Sequence, residues 1–283
     1  NGYRAKRVGA LLSDKKKYTL KEMGRIQMDF YSIPGKELQL HFDRISGSND
    51  SEQQMLDHFK GWNCFLTADS IGGCVYQMIR SEMVRLLLEK ALGRDLILDI
   101  TGAPFHELLS GITELYGHDT TMLLRLLDDR DSQLMNLAGG KERLMQKALK
   151  SSIIKLTKLL GKNMGDWHWG KLHQLLFEHP IGKKKPFDKV FNIGPIPIGG
   201  DTDTVHQTAF YNERGFAGTL VCPSYRQLID LGDLRKSLNM MAPGNSGQVG
   251  SLFYNNLTEK WLNGKFKKMS WGEKVRGKKL ILK

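Results

Sequence analysis

The sequence predicts an α+β chain, mostly helical over residues 1–165 and carrying its β-strands in the last third. Two observations lead there. Apolar residues recur at the 3.6-residue period in one segment after another of the first part. After Pro180, Pro and Gly become frequent, and short alternating segments replace the long periodic ones. With 283 residues, 40% of them apolar, the chain can bury a sizeable core as one large domain or two small ones.

In chain order, Arg4 to Leu12 forms a first helix with Val8, Leu11 and Leu12 apolar, ending in a charged turn. Thr19-Leu20-Lys21-Glu22 is a capping-box pattern. It opens a helix with Leu20, Met23, Ile26, Gln27 and Phe30 on one face, which Pro34 perturbs or ends. Residues 45–51 read as a loop. A helix from about Ser51 turns Met55, Leu56 and Phe59 inward, and a long one runs from Ala68 to Leu92. Gly72-Gly73 inside it predicts close packing against a neighbour, since glycine otherwise weakens a helix. Asp119–Leu127 and Lys141–Leu160 are further amphipathic helices. Strands are expected within Thr219–Leu231 and Ser237–Ala242, then a turn at residues 243–247 and a short helix from Tyr254 to Asn263. The change of character near residue 165 divides a helical layer, 1–165, from a β-rich segment, 166–283. The late strands need a sheet to join, so both belong to one continuous domain in this reading.

The net charge is +12, concentrated towards the two ends. A basic surface can bind nucleic acid or anionic membrane. No zinc-finger, RRM-like or KH-like pattern accompanies it, so a solvated basic face or an acidic partner chain is the expectation. Mean hydropathy is −0.37 and the apolar runs are short, so no transmembrane helix is expected. Three cysteines without a CxxC pair read as buried thiols; a Cys64–Cys74 bridge has no support.

Trp167-His168-Trp169-Gly170-Lys171-Leu172-His173, continuing to His179-Pro180, puts three histidines and two tryptophans in a short stretch. The histidine spacings do not stack on one helical face, and no HExxH occurs, so hydrogen bonding at a helix end is expected over zinc. Asp201-x-Asp203, after the Pro/Gly-rich loop Ile193 to Gly200, is a weak metal candidate. A turn in which the aspartates accept backbone N–H bonds is the plainer reading. Ser152 to Lys155 matches S-x-x-K, but so does Ser13 to Lys16, and the Lys-Thr-Gly element is missing. No G-x-S-x-G elbow or phosphate-binding glycine loop occurs.

The Trp167–Pro180 and Gly199–Val205 blocks, in this order and spacing, resemble the C-terminal part of the large subunit of penicillin amidases. These are N-terminal-nucleophile (Ntn) hydrolases. Further resemblance lies in Tyr3-Arg4-Ala5-Lys6-Arg7-Val8, Ile26-Gln27-Met28-Asp29, Gly218–Gly232, Gly244-Asn245-Ser246-Gly247 and Tyr254–Trp261. The resemblance implies the αββα sandwich of that family, with this chain supplying helices and the last strands. It implies a self-cleaving precursor whose new N-terminal Ser, Thr or Cys attacks a linear amide, with its own α-amine as base. Asn1 is no nucleophile. The nucleophile, the oxyanion asparagine and the calcium-binding carboxylates are therefore expected upstream. The partners implied are the small subunit, the N-terminal part of the large subunit and an acylated amine, and no cofactor belongs to this stretch. A periplasmic or extracellular location is implied in the same way. Arg4 matches the arginine that supports the active site, and Asp230 stands near a carboxylate that orients a histidine in some members. The stretch alone is expected to be inactive. The alternative is a non-catalytic basic module that binds an anionic partner.

Overall fold

A computed structural model of the chain describes residues 2–13, 17–93, 119–129, 131–210 and 222–270. They form two compact units: residues 1–16 with 28–223, and residues 17–27 with 224–283. The change of character at residue 165 runs through the first. The expected α+β class is observed, with helices dominating before residue 165 and short strands after it.

In the first unit, α1 (Tyr3–Leu12) is followed by α3 (Ile33–Phe42), α4 (Asp50–Lys60) and α5 (Ile71–Leu92); α2 belongs to the second unit. Next come α6 (Asp119–Asp128), α7 (Gln133–Leu137) and α8 (Lys141–Leu160). The central helix is α5, buried over most of its length and packed against α4, α6, α7 and α8. Its two glycines have the purpose the sequence predicted. A Cβ on Gly72 would lie 2.4 Å from Trp62 Cβ, and one on Gly73 would lie 2.5 Å from Leu66 Cδ1. Trp62 in turn stacks on Tyr76 with ring centroids 5.3 Å apart. Across the α5–α8 seam the buried Glu82 carboxylate accepts from Ser151, Lys155 and Arg85. Burial alone would raise its proton affinity, but these bonds outweigh that and hold it below the usual carboxylate range.

Pro34 was expected to perturb or end a helix; instead it begins one. Ser32 Oγ accepts from Gly35 N at 3.1 Å, and Pro34 occupies the first turn of α3, where its missing N–H costs nothing. The preceding helix stops at Gln27, so Phe30 is outside it, and the Phe30 carbonyl accepts from Leu66 N. Residues 167–180 also differ from expectation. The one-turn helix α9 (Trp169–Leu172) leads at once into β1 (Gln174–Phe177). The Pro/Gly loop is in part a strand, β2 (Ile193–Pro197), after the short α10 (Asp188–Phe191). The two strands pair antiparallel, with an irregular register between Leu175 and Phe177.

The second unit contains α2 (Leu20–Gln27), β3 (Tyr225–Leu228), β4 (Leu238–Met241), α11 (Thr258–Leu262) and β5 (Lys267–Lys268). The capping box forms reciprocally: Thr19 N donates to Glu22 Oε2 at 2.8 Å and Glu22 N to Thr19 Oγ1 at 3.3 Å. The strands lie in the order β3-β4-β5, with Arg226 opposite Met240 and Leu228 opposite Leu238. The first residues of the expected Thr219–Leu231 strand lie outside the described residues. Gly24 of α2 faces Phe266 and Leu228, and buried Trp261 of α11 lies 4.6 Å from the Arg226 guanidinium. No helix among the described residues is long and apolar enough to cross a membrane.

Candidate functional site

The segment 198–208 carries Asp201 and Asp203 and is contacted by Arg4 and Trp169, four of the residues that the sequence singled out in the first unit. It leaves β2 under close constraint. Gly200 N donates to Leu66 O at 2.7 Å, and Trp169 Nε1 donates to Gly200 O at 3.0 Å. Gly200 has φ +88, and a Cβ there would lie 2.5 Å from His206 O, so only glycine fits without strain. The tryptophans of the Trp/His run are thus clamps. Trp169 holds this segment, and Trp167 Nε1 donates to Gly161 O at the end of α8.

Asp201 is buried and its oxygens face N–H donors. Oδ1 accepts from Asp203 N at 2.8 Å and Thr204 N at 3.0 Å, and Oδ2 accepts from Gln77 Nε2 of α5 at 2.7 Å. Arg80, one turn further along α5, donates to Gln77 Oε1 at 3.2 Å and pairs with Asp119 at 2.7 Å. Burial pushes the Asp201 carboxyl up, opposed by the Asp203 N–H, by Arg80 and by Gln77. Asp203 is pushed well above the usual range, first by burial and then by the charge of Asp201. Of the two, Asp203 is the member that holds its proton more tightly, because burial and the neighbouring Asp201 charge act on it together. Among the described residues no three His, Cys, Asp or Glu side chains converge as metal ligands.

Helix α1 is tied to this segment at two points. Arg4, exposed in its first turn, donates from Nη1 to Gln207 Oε1 at 2.9 Å. Arg7, one turn on, forms a two-pronged pair with Asp29 at 2.8 and 2.9 Å and lies 4.4 Å from the centre of the Tyr31 ring. The Asp29 carbonyl accepts from His206 N at 3.0 Å. Between α1 and α3, Tyr3 donates to Glu37 Oε2 at 3.0 Å. The result is an exposed guanidinium with one of its five N–H groups fixed, on a frame anchored in the core of the unit.

The three histidines do separate work. His173 is buried and stacks on Trp169 at 4.8 Å; His168 Nδ1 lies 2.7 Å from Asp69 O; His179 Nδ1 accepts from Ile181 N. Ser152 is buried, and Lys155, the other end of the S-x-x-K match, pairs with Glu82. Cys64 and Cys74 are buried free thiols, their proton affinities raised by burial to about 11 and about 12. Asp230 lies in the second unit, just past β3. Its Oδ1 accepts from Gly232 N at 2.9 Å and Asp233 N at 3.1 Å, closing the turn towards β4.

Sequence reasoning did not single out Arg7, Asp29, Gln77, Arg80 or Gln207 as site residues. A signal existed for two of them: Gln77 and Arg80 are polar positions on the buried length of an otherwise apolar helix. Nothing local marks Gln207, because its partner is 203 residues away.

The fold is shared with part of a solved acylase. A solved penicillin G acylase from Alcaligenes faecalis superposes with a TM-score of 0.59, covering 99% of this chain and 52% of that one at 14% identity. The profile of the penicillin amidase family matches residues 1–277, and the chain belongs to that family. Among curated proteins it is similar to acyl-homoserine lactone acylases named QuiP. The one from Pseudomonas syringae pv. syringae is 25% identical over 71% of this chain and 24% of its own length. The one from Pseudomonas aeruginosa is 22% identical over 93% of this chain and 34% of its own length. The chain thus spans about a quarter to a third of the curated relatives it matches.

Proposed function

We propose that the chain is the C-terminal part of an acylase that hydrolyses a linear amide between an acyl group and an amine. The nucleophile is an N-terminal Ser, Thr or Cys on polypeptide preceding Asn1. The family match over residues 1–277 carries this reading. The curated relatives make N-acyl-homoserine lactones the first substrates to try. In the complete enzyme an α-amine with an ordinary pKa near 8 is partly neutral at working pH and can take the nucleophile's proton. Backbone N–H groups and an asparagine amide then meet the developing oxyanion.

Within this scheme Arg4 steadies negative charge at the active site, and the Arg4–Gln207 bond supports it in that role. Asp230 has the proposed role of orienting a histidine; its second oxygen takes that task, since Oδ1 is engaged in the turn. Calcium, where the complete enzyme uses it, is held by upstream carboxylates.

The test is to express the complete reading frame, sequence the N-termini of the processed chains and follow amine release from N-acyl-homoserine lactones and other N-acyl amines. The expected result is a new Ser, Thr or Cys terminus whose replacement by Ala abolishes release. A complete protein that shows no such terminus and releases no amine overturns the proposal. In the active enzyme Arg4→Ala should lower kcat/KM about 10–100-fold, corresponding to roughly 1.4–2.7 kcal/mol of transition-state stabilisation. Arg4→Lys should recover only part of it.

A further inference from the structure

A second cluster of reactive side chains lies in the first unit, away from the 198–208 segment. It joins the ends of three helices. Lys141 is the first residue of α8, Asp128 the last of α6, and His41 lies near the end of α3. The Lys141 Nζ lies 2.7 Å from His41 Nδ1 and donates a further N–H to Leu127 O at 3.1 Å. On the other side of the ring, His41 Nε2 is 3.6 Å from Asp128 Oδ1. An ammonium can only donate, so Nδ1 is the acceptor and the ring proton sits on Nε2, facing the carboxylate. An amine, a histidine in contact with it and a carboxylate behind the histidine form the arrangement of an activated nucleophile.

The amine also has somewhere to react. Lys141 lines a cavity of about 440 Å³ together with Leu126, Leu127, Met135, Asn136 and Asp129. That volume is in the range of small-molecule sites. Its walls are part apolar and part acidic, with Asp128 and Asp129 at the rim, so an anionic ligand is disfavoured. The ammonium is itself disfavoured at the N-terminus of a 20-residue helix. Burial lowers the proton affinity of Lys141, against the pull of Asp128. Burial and then the Lys141 charge lower that of His41, against the pull of Asp128 and Glu37.

From this geometry we infer that Lys141 is a covalent capture site for small, uncharged, partly apolar aldehydes, with His41 as its proton acceptor. The Lys141 ammonium passes a proton to His41 Nδ1, and the freed lone pair forms the C–N bond. The carbonyl oxygen takes that proton from His41, then a second from the nitrogen, and leaves as water. Ammonium plus aldehyde thus gives protonated imine plus water, with no oxidant or reductant required. The inference is independent of the amide hydrolysis proposed above, since it uses none of those residues.

The experiment treats the complete protein at neutral pH with pentanal and cyanoborohydride, whose hydride converts the imine into a stable pentylamine. Labelling rates are read peptide by peptide by mass spectrometry. The comparator is Lys150, exposed on the same helix. Lys141 should be labelled about tenfold faster than Lys150. The ratio should fall to about one in urea-unfolded protein. His41→Gln should bring Lys141 down towards the Lys150 rate while leaving Lys150 unchanged. Equal rates for the two lysines in the folded wild-type protein overturn the inference. So does a His41→Gln protein that retains the full excess.

Discussion

Arg7 and Asp29 illustrate how much one residue pair organises. The pair is two-pronged, its side chains only 19% and 10% exposed, and Asp29 also accepts from Tyr31 N. A guanidinium matches a carboxylate in plane, whereas an ammonium offers a single point of contact. Arg7→Ala is expected to cost about 2–3 kcal/mol, because it strands a largely buried carboxylate. Arg7→Lys should restore less than half of that, as measured by urea unfolding of the complete protein. Full recovery by lysine would show that charge alone suffices. Asp203 makes a different prediction. A carboxyl kept neutral by burial binds its proton more tightly folded than unfolded. Its contribution is present below the unfolded carboxylate pKa and is lost as pH rises through the higher folded value. Asp203→Asn does not titrate. Its stability relative to wild type should therefore improve as pH rises above the unfolded carboxylate pKa of about 4. A difference that stays constant with pH would refute the assignment of the proton to Asp203.

Helix α5 shows where local propensity yields to packing. In an exposed helix, Gly72→Ala would gain about 1 kcal/mol. Here the new methyl would meet Trp62 Cβ at 2.4 Å and the His58 carbonyl at 2.7 Å, and neither can swing away. The overpacking cost of roughly 1–3 kcal/mol should dominate, giving a lower Tm in calorimetry of the complete protein. An unchanged or higher Tm would mean that α4 and α5 can separate there. The sequence already marked Gly72-Gly73 as a close approach, since two helix-weakening residues need a reason to stand in an apolar run. Pro34 was misread because a proline is equally compatible with the end of one helix and the first turn of the next. Only the Ser32 cap and the hydrogen bond to Gly35 N decide between them. The β1–β2 pair was missed for a related reason. Ile193–Pro197 is rich in Pro and Gly, and its pairing with Gln174–Phe177 is not encoded in either segment alone.

At the scale of the whole molecule, the chain is about a quarter to a third of the length of its curated relatives. On the function proposed here, residues 1–283 alone should release no amine from an N-acyl-homoserine lactone. Co-expression with the preceding polypeptide of the same reading frame should restore release. Hydrolysis by residues 1–283 alone would place the nucleophile within them. The sequence by itself determined the class of fold, the existence of the helices α2, α5 and α8, and the family. Those depend on short-range periodicity and on motifs whose residues are neighbours in the chain. Tertiary structure alone decided what the motifs do. Trp169 became a clamp for Gly200, Asp201 a partner of Gln77, and Arg4 a partner of Gln207, because these groups meet only after distant segments pack and each buried polar atom must find a partner.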